Sequence, residues 1–300
     1  MSSTLQEKFI EYLQYEKRYS THTIKSYQND LEQFYFFLNK TYQDDTISTV
    51  SHNHIRSWMV ELVDNNISLK SINRKISTLR SFFNFLMKND LVQKNPTLKI
   101  VTPKIAKKLP EFVQEKNMAS LFDNILDGEF EEFRNRLIIE FFYSTGIRRI
   151  ELINIIDSDI DRANRVVKVL GKGNKERIIP LSHDFLCKIE KYMELRNDYF
   201  DRELSSETLF VTNKGSKMYP KLVYSIVKTY LSTVTTAEKK SPHILRHTFA
   251  THMMNQGADL NAVKELLGHA NLAATQIYTH NSIEKLKEVY KKAHPKSDKK

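Results

Sequence analysis

Residues 241–280 run SPHILRHTFATHMMNQGADLNAVKELLGHANLAATQIYTH. Pro242 suits the first turn of a helix, where its missing N–H leaves no bond unmade. The apolar residues that follow predict a helix over 242–256. His243 and Arg246 are three apart, so they share one face of its first turn. Free N–H groups at such a turn favour an anion. A phosphate there would meet a helix N-terminus, an imidazole and a guanidinium. A second helix is expected over 260–267, and Gly268 is a fitting stop that leaves His269 just beyond it. One at a time these residues are ordinary: two polar residues on a surface turn, a structural histidine and, in Tyr278, one of fourteen tyrosines.

Upstream lie two more segments that could carry chemistry. Residues 145–152, TGIRRIEL, put Gly146 at the end of a buried helix over 135–144. Arg148 then starts the next helix, with Glu151 three residues on as a ready ion-pair partner. Residues 165–170 and 176–181 read as strands joined by GKGN, a hairpin-turn composition. Within GKGNKER, residues 171–177, Lys172 is flanked by glycines. It is either a solvated turn residue or a cation that a polyanion backbone can approach closely. A short strand is expected at 208–212 before the turn NKGS, and helices over 221–233 and 282–292. The sum is a mostly helical domain with a small antiparallel sheet at one edge.

The segment 95–110 holds Pro96, Pro103 and Pro110 with Lys99, Lys104, Lys107 and Lys108. Proline restricts itself and its predecessor, so this stretch reads as an extended linker that divides the chain near residue 105. Before it the pattern predicts four helices, capped by Ser3 or Thr4, Thr21, Ser51 and Ser68. In the fourth, Ile72, Ile76, Leu79, Phe83 and Leu86 step by threes and fours and form a core stripe. Lys70, Arg74, Ser77 and Ser81 fall on roughly the opposite side. That side is either a solvated face or one suited to a DNA groove, with Lys75 and Arg80 counted beside it as DNA-binding candidates.

Composition narrows the class. Hydrophobic residues make up 40% of the 300, enough for real cores. The apolar runs are too short to span a membrane, and the N-terminus lacks the apolar core of a secretory signal. The single cysteine, Cys187, excludes an internal disulfide framework and a cysteine-rich zinc site. A cytoplasmic protein is expected. The net charge of +10 favours a polyanionic partner.

Taken in order, Arg148, Lys172, His243 with Arg246, His269 and Tyr278 resemble the active-site set of the tyrosine recombinase (phage integrase) family. Residues 241–280 are most similar to its Xer branch, and the resemblance covers nearly the whole chain. It implies a mainly α fold: a four-helix, SAM-like core-binding domain at 1–100, a linker at 101–110, and an α-rich catalytic domain at 111–300 with a C-terminal exchange helix at about 282–293. It implies that Tyr278 attacks a DNA phosphate, giving a 3′-phosphotyrosyl link and a free 5′-hydroxyl. Arg148, Arg246 and His269 would bind the phosphate, His243 would help take the tyrosine proton, and Lys172 would act as general acid. Glu151 would orient Arg148. The family usually has a small or apolar residue where this chain has Arg149. The register assigns catalysis to Arg148 and leaves Arg149 as a surface or DNA-contacting residue. The resemblance further implies double-stranded DNA as partner, a homo- or hetero-tetramer linked by cyclic exchange of the C-terminal helix, a septal DNA translocase as activator, and no metal or cofactor. Resolution of chromosome dimers is the expected role. The alternatives are a mobile-element integrase, a topoisomerase of the same chemistry, and a non-catalytic DNA-binding protein.

Overall fold

The computed structural model describes residues 2–105, 111–123, 129–171, 175–201, 206–237, 239–268 and 280–297. The contacts divide the chain into two compact units, Met1–Lys108 and Leu109–Lys300.

The first unit contains α1 (Ser2–Glu11), which runs into a π-helical turn at Tyr12–Glu16, then α2 (Thr21–Tyr42), α3 (His52–Asp64) and α4 (Leu69–Lys88). Hydroxyl caps start α2 and α4, whereas α1 begins at Ser2, so the expected caps Ser3 and Thr4 lie inside it, and at α3 the Ser51 N–H donates to His54 Nδ1 at 3.3 Å. Ser68 accepts from the Ser71 N–H at 3.3 Å. At α2 the cap is Ser20, not the expected Thr21, and it accepts from the Thr23 N–H at 3.4 Å. The α4 stripe of Ile72, Ile76, Leu79, Phe83 and Leu86 is buried against Phe9, Leu31, Phe34, Ile55 and Trp58. Each such side chain contributes about 1.5–3 kcal/mol on leaving water.

Lys70, Arg74 and Ser77 are exposed and Ser81 partly so. Lys75 corrects the sequence reading: it is buried, not part of that face. Lys75 lies three residues from Ile72 and four from Leu79, on the flank of the core stripe. Its ammonium is tolerated there because Asp30 of α2 meets it at 3.0 Å and Gln33 at 2.5 Å. Buried Asp30 also accepts from Thr78 at 2.9 Å and pairs with Arg74. Arg80 is half-buried and donates to the Ile100 carbonyl at 3.3 Å. Asn73 donates to the Pro103 carbonyl at 3.0 Å. The chain that follows α4 is therefore fastened to this unit as far as Pro103. It begins with a 3₁₀ turn, Pro96–Lys99, capped by Asn95.

The second unit is built around α6 (Phe130–Thr145), buried along nearly its whole length. Around it lie α5 (Glu115–Asp123), α7 (Arg149–Asn154), α8 (His183–Tyr199), α9 (Pro220–Val234), α10 (Pro242–Asn255), α11 (Leu260–Leu267) and α12 (His280–Ala293). A three-stranded antiparallel sheet has the order β1 (Ile160–Asp161), β2 (Val166–Leu170), β3 (Glu176–Pro180). Val169 pairs with Arg177 and Val167 with Ile179.

The expected strand at 208–212 forms only isolated bridges, Ile156 with Thr208 and Val211 with Lys217. Leu209, Phe210 and Val211 are fully buried. Carbonyls that a ladder would satisfy are met by arginines instead: Arg196 donates to Leu209 at 3.0 Å and Arg134 to Val211 at 3.1 Å.

Within the single chain α12 packs on its own unit, against β3, α10 and α11. Leu286, Tyr290 and Ala293 join the core. His294, stacked on Tyr290 at 4.7 Å, meets the Tyr143 carbonyl at 3.1 Å, and Lys296 reaches Glu140 at 2.7 Å.

Candidate active site

Two helix ends build the site. Gly146 ends α6 in the left-handed region, at φ +60°. A Cβ there would lie 2.5 Å from the Phe249 ring and 2.8 Å from Leu267, so both conformation and space require glycine. Gly268 ends α11 in the same way, at φ +65°. A helix C-terminus presents unsatisfied carbonyls with partial negative charge, which attract cations.

The two catalytic arginines expected from sequence sit on these carbonyls. Arg246, from the first turn of α10, donates to the Gly146 carbonyl at 2.6 Å and to the Leu267 carbonyl at 2.6 Å. Arg148, the residue before α7, donates to the Gly268 carbonyl at 3.2 Å. Consecutive carbonyls of one helix end thus hold the two guanidiniums side by side. Glu151 fixes Arg148 twice, accepting from its backbone N–H at 2.8 Å and from its guanidinium at 2.7 Å. Arg149 points elsewhere and donates to the Pro220 carbonyl at 3.4 Å.

The sequence reading passed over Arg177. This buried arginine of β3 donates to both oxygens of Glu151, at 3.0 and 2.8 Å, and to the Leu266 carbonyl at 2.8 Å. The signal was present: in the strand Glu176–Pro180, period-two alternation puts Arg177 on the same inward face as Ile179.

Two guanidiniums, Arg148 and Arg177, therefore grip one carboxylate, whose charge Arg246 also feels. Burial alone would raise the pKa of Glu151, but hydrogen bonding and charge from Arg177, then from Arg148, outweigh it and hold the carboxyl at about 2. Burial, then the charges of Arg148 and Arg177, push Arg246 down to about 9. It stays cationic at neutral pH, in a positive field that an anion would relieve. His243, on the same turn as Arg246, is lowered by partial burial and then by the charges of Arg246, Arg149 and Arg148. Its neutral form, the proton acceptor, is favoured.

Lys172, His269 and Tyr278 lie outside the described residues, so half of the expected catalytic set is not placed. Their flanks are: Gly171 donates to the Lys175 carbonyl at 2.8 Å across the hairpin mouth. Gly268 immediately precedes His269, and α12 begins two residues after Tyr278.

The phage integrase family matches residues 111–285, and the phage integrase N-terminal SAM-like domain matches 7–90. The tyrosine recombinase XerC of Chlorobaculum parvum is 39% identical over 314 residues, covering 96% of this chain and 94% of its own. XerC of Staphylococcus saprophyticus is 40% identical over 297 residues, covering 98% of each. Among solved structures, an XerH site-specific recombinase bound to palindromic difH substrate, in a post-cleavage complex, has the same fold. Its TM-score is 0.71 at 24% identity, covering 96% of this chain and 83% of that one. With the family model matching more than half of the chain and XerC relatives about 40% identical across nearly all of it, the chain belongs to the phage integrase family, the tyrosine recombinases that cut and rejoin DNA.

Proposed function

We propose that Tyr278 is the nucleophile and that Arg148, Arg246 and His269 bind the scissile phosphate of a specific duplex DNA site. One observation carries this reading: Arg148 and Arg246 are held by consecutive carbonyls of one helix end, in a cluster with more positive than negative charge. A phosphodiester resists attack because it is anionic and gains charge in the transition state. Fixed guanidiniums give bidentate contacts to its non-bridging oxygens. One preorganised donor of this kind is worth roughly 3–4 kcal/mol.

A tyrosine hydroxyl titrates near 10 and is mostly protonated at neutral pH. Its Oη attacks phosphorus as its proton passes to neutral His243. The bond to the 5′ oxygen breaks, and Lys172 supplies that oxygen with a proton. The phosphotyrosyl link keeps the bond energy, so a 5′-hydroxyl from a partner duplex can reverse the step without ATP. Exchange of all strands needs four protomers on two sites and passes through a four-way junction. The face of α4 with Lys70, Arg74, Ser77 and Ser81 contacts the DNA. Docking of α12 on a neighbour requires it to leave its own unit first. The XerC relatives favour a chromosomal role in the cytoplasm, resolving dimers at cell division under a septal DNA translocase.

The test begins with DNA covalently trapped on the protein in its own cells, whose sequence defines the site. Two copies are then placed in one supercoiled plasmid with chelator and no ATP. Resolution into two circles is the expected result. Relaxation of one-site and two-site plasmids alike, without resolution, would establish a topoisomerase instead. Recovery of mobile-element junctions would establish an integrase.

A further inference from the structure

The last turn of α11 holds not two guanidiniums but three. The carbonyls of Leu266, Leu267 and Gly268 accept in sequence from Arg177, Arg246 and Arg148. The three differ in what remains open. Arg148 has a third of its side chain exposed, whereas Arg177 has 4%. All three Arg177 nitrogens are engaged, Nε on Leu266 and both terminal nitrogens on Glu151. Two N–H donors remain beyond these three bonds, but with only 4% of its side chain exposed Arg177 is little open to a phosphate. Its stem lies against Gly268, where a Cβ would come within 3.0 Å of its Cδ.

Arg177 joins three pieces of the site. It sits on β3, the strand that follows Lys172. It grips Glu151 of α7, and it fixes the end of α11 just before His269. Glu151 Oε1 is shared between Arg148 at 2.7 Å and Arg177 at 3.0 Å. That sharing has a consequence for cleavage. A buried carboxylate with a single cationic partner takes up a proton when that partner turns to another anion. Glu151 has a second partner, so Arg148 can engage a phosphate while Glu151 stays charged and keeps it aimed.

We propose that Arg177 is a positioning residue for strand cleavage, holding Glu151 charged and in place so that Arg148 can be shared between that carboxylate and the scissile phosphate. The inference rests on the proposed role of Arg148. It separates Arg177 from a merely structural ion pair, which would support folding and DNA binding to the same degree as cleavage.

The test uses the full chain with Arg177→Met, Arg177→Lys and the double variant Arg177→Met/Glu151→Gln, on a nicked DNA site. Single-site binding and single-turnover cleavage are measured from about pH 5 to about pH 8. Arg177→Met should bind within about threefold of wild type and cleave about 100-fold more slowly, the loss expected from a small misplacement of a reacting group. Its pH profile should gain an extra protonation on the acid side, as Glu151 loses its second partner. The double variant should lack that protonation. Arg177→Lys keeps the charge but cannot span two oxygens and a carbonyl, and should fall between. Should Arg177→Met fail to fold, Arg177→Lys cleaving at the wild-type rate would overturn the proposal. So would Arg177→Met at the wild-type rate, or binding and cleavage falling together with no new protonation. Absence of a Tyr278 adduct in wild type would instead defeat the underlying reading, whatever Arg177 does.

Discussion

Glu151 shows how one side chain sets the electrostatics of the site. Its carboxyl, held at about 2 against an ordinary 4.5, is ionised in the folded state well below the pH at which the unfolded chain binds a proton. The resulting stability is complete above about 4.5 and is lost as pH falls towards 2. The difference corresponds to on the order of 3 kcal/mol. Glu151→Gln should therefore lower the unfolding free energy by about that amount at neutral pH. The gap between variant and wild type should close as the pH falls through the same window. Urea titrations at several pH values would measure it, and a gap independent of pH would contradict the assignment. Residues of this kind are only half legible in sequence. Glu151 stands three after Arg148, so helical spacing brings it out. Arg177 stands beside a glycine-rich turn, where an arginine ordinarily reads as solvated, and its partners lie 26 and 89 residues away. Lys75 misleads for the same reason: a helical wheel gives its angle but not Asp30, 45 residues upstream.

The stop glycines govern the elements. Gly146 must end α6 for its carbonyl to receive Arg246, and no other residue fits its conformation and space. Gly146→Ala should destabilise the second unit by about 2–4 kcal/mol, from backbone strain plus the clash with Phe249. It should also reduce cleavage beyond what the loss of folded protein explains, because the Arg246 acceptor moves. Thermal melting and cleavage of folded protein measure the two effects, and a variant as stable as wild type would show that the glycine is not required. Most elements could be read from period and caps, including the α4 stripe, the hairpin strands and the ends of α6 and α11. The helices α5 and α8 were not, although in α8 Phe185, Ile189, Tyr192 and Arg196 keep a helical period along its buried side. The apolar run Leu209–Val211 read as a strand because a short buried run has no period of its own. Only the tertiary contacts with Arg134 and Arg196 show how its carbonyls are met without a ladder.

Across the whole molecule, the net charge of +10 and two separate cores suit a protein that holds DNA with one set of cations and cuts it with another. The end of the chain ties these levels together. α12 begins two residues after Tyr278, and its buried face belongs to the core of its own unit. Amphipathic spacing predicts such a face but not whose core it enters; docking on a neighbour is what the family resemblance implies, and within the single chain the face packs on its own unit. Any movement of α12 towards a neighbour would therefore also bear on the segment that carries Tyr278. The most direct measurement is covalent trapping on a nicked DNA site, followed by mass spectrometry of the linked peptide. The account predicts a phosphotyrosyl adduct on Tyr278, absent in Tyr278→Phe and strongly reduced in Arg246→Ala that still binds DNA. An adduct on another residue, or one that survives Tyr278→Phe, would contradict it.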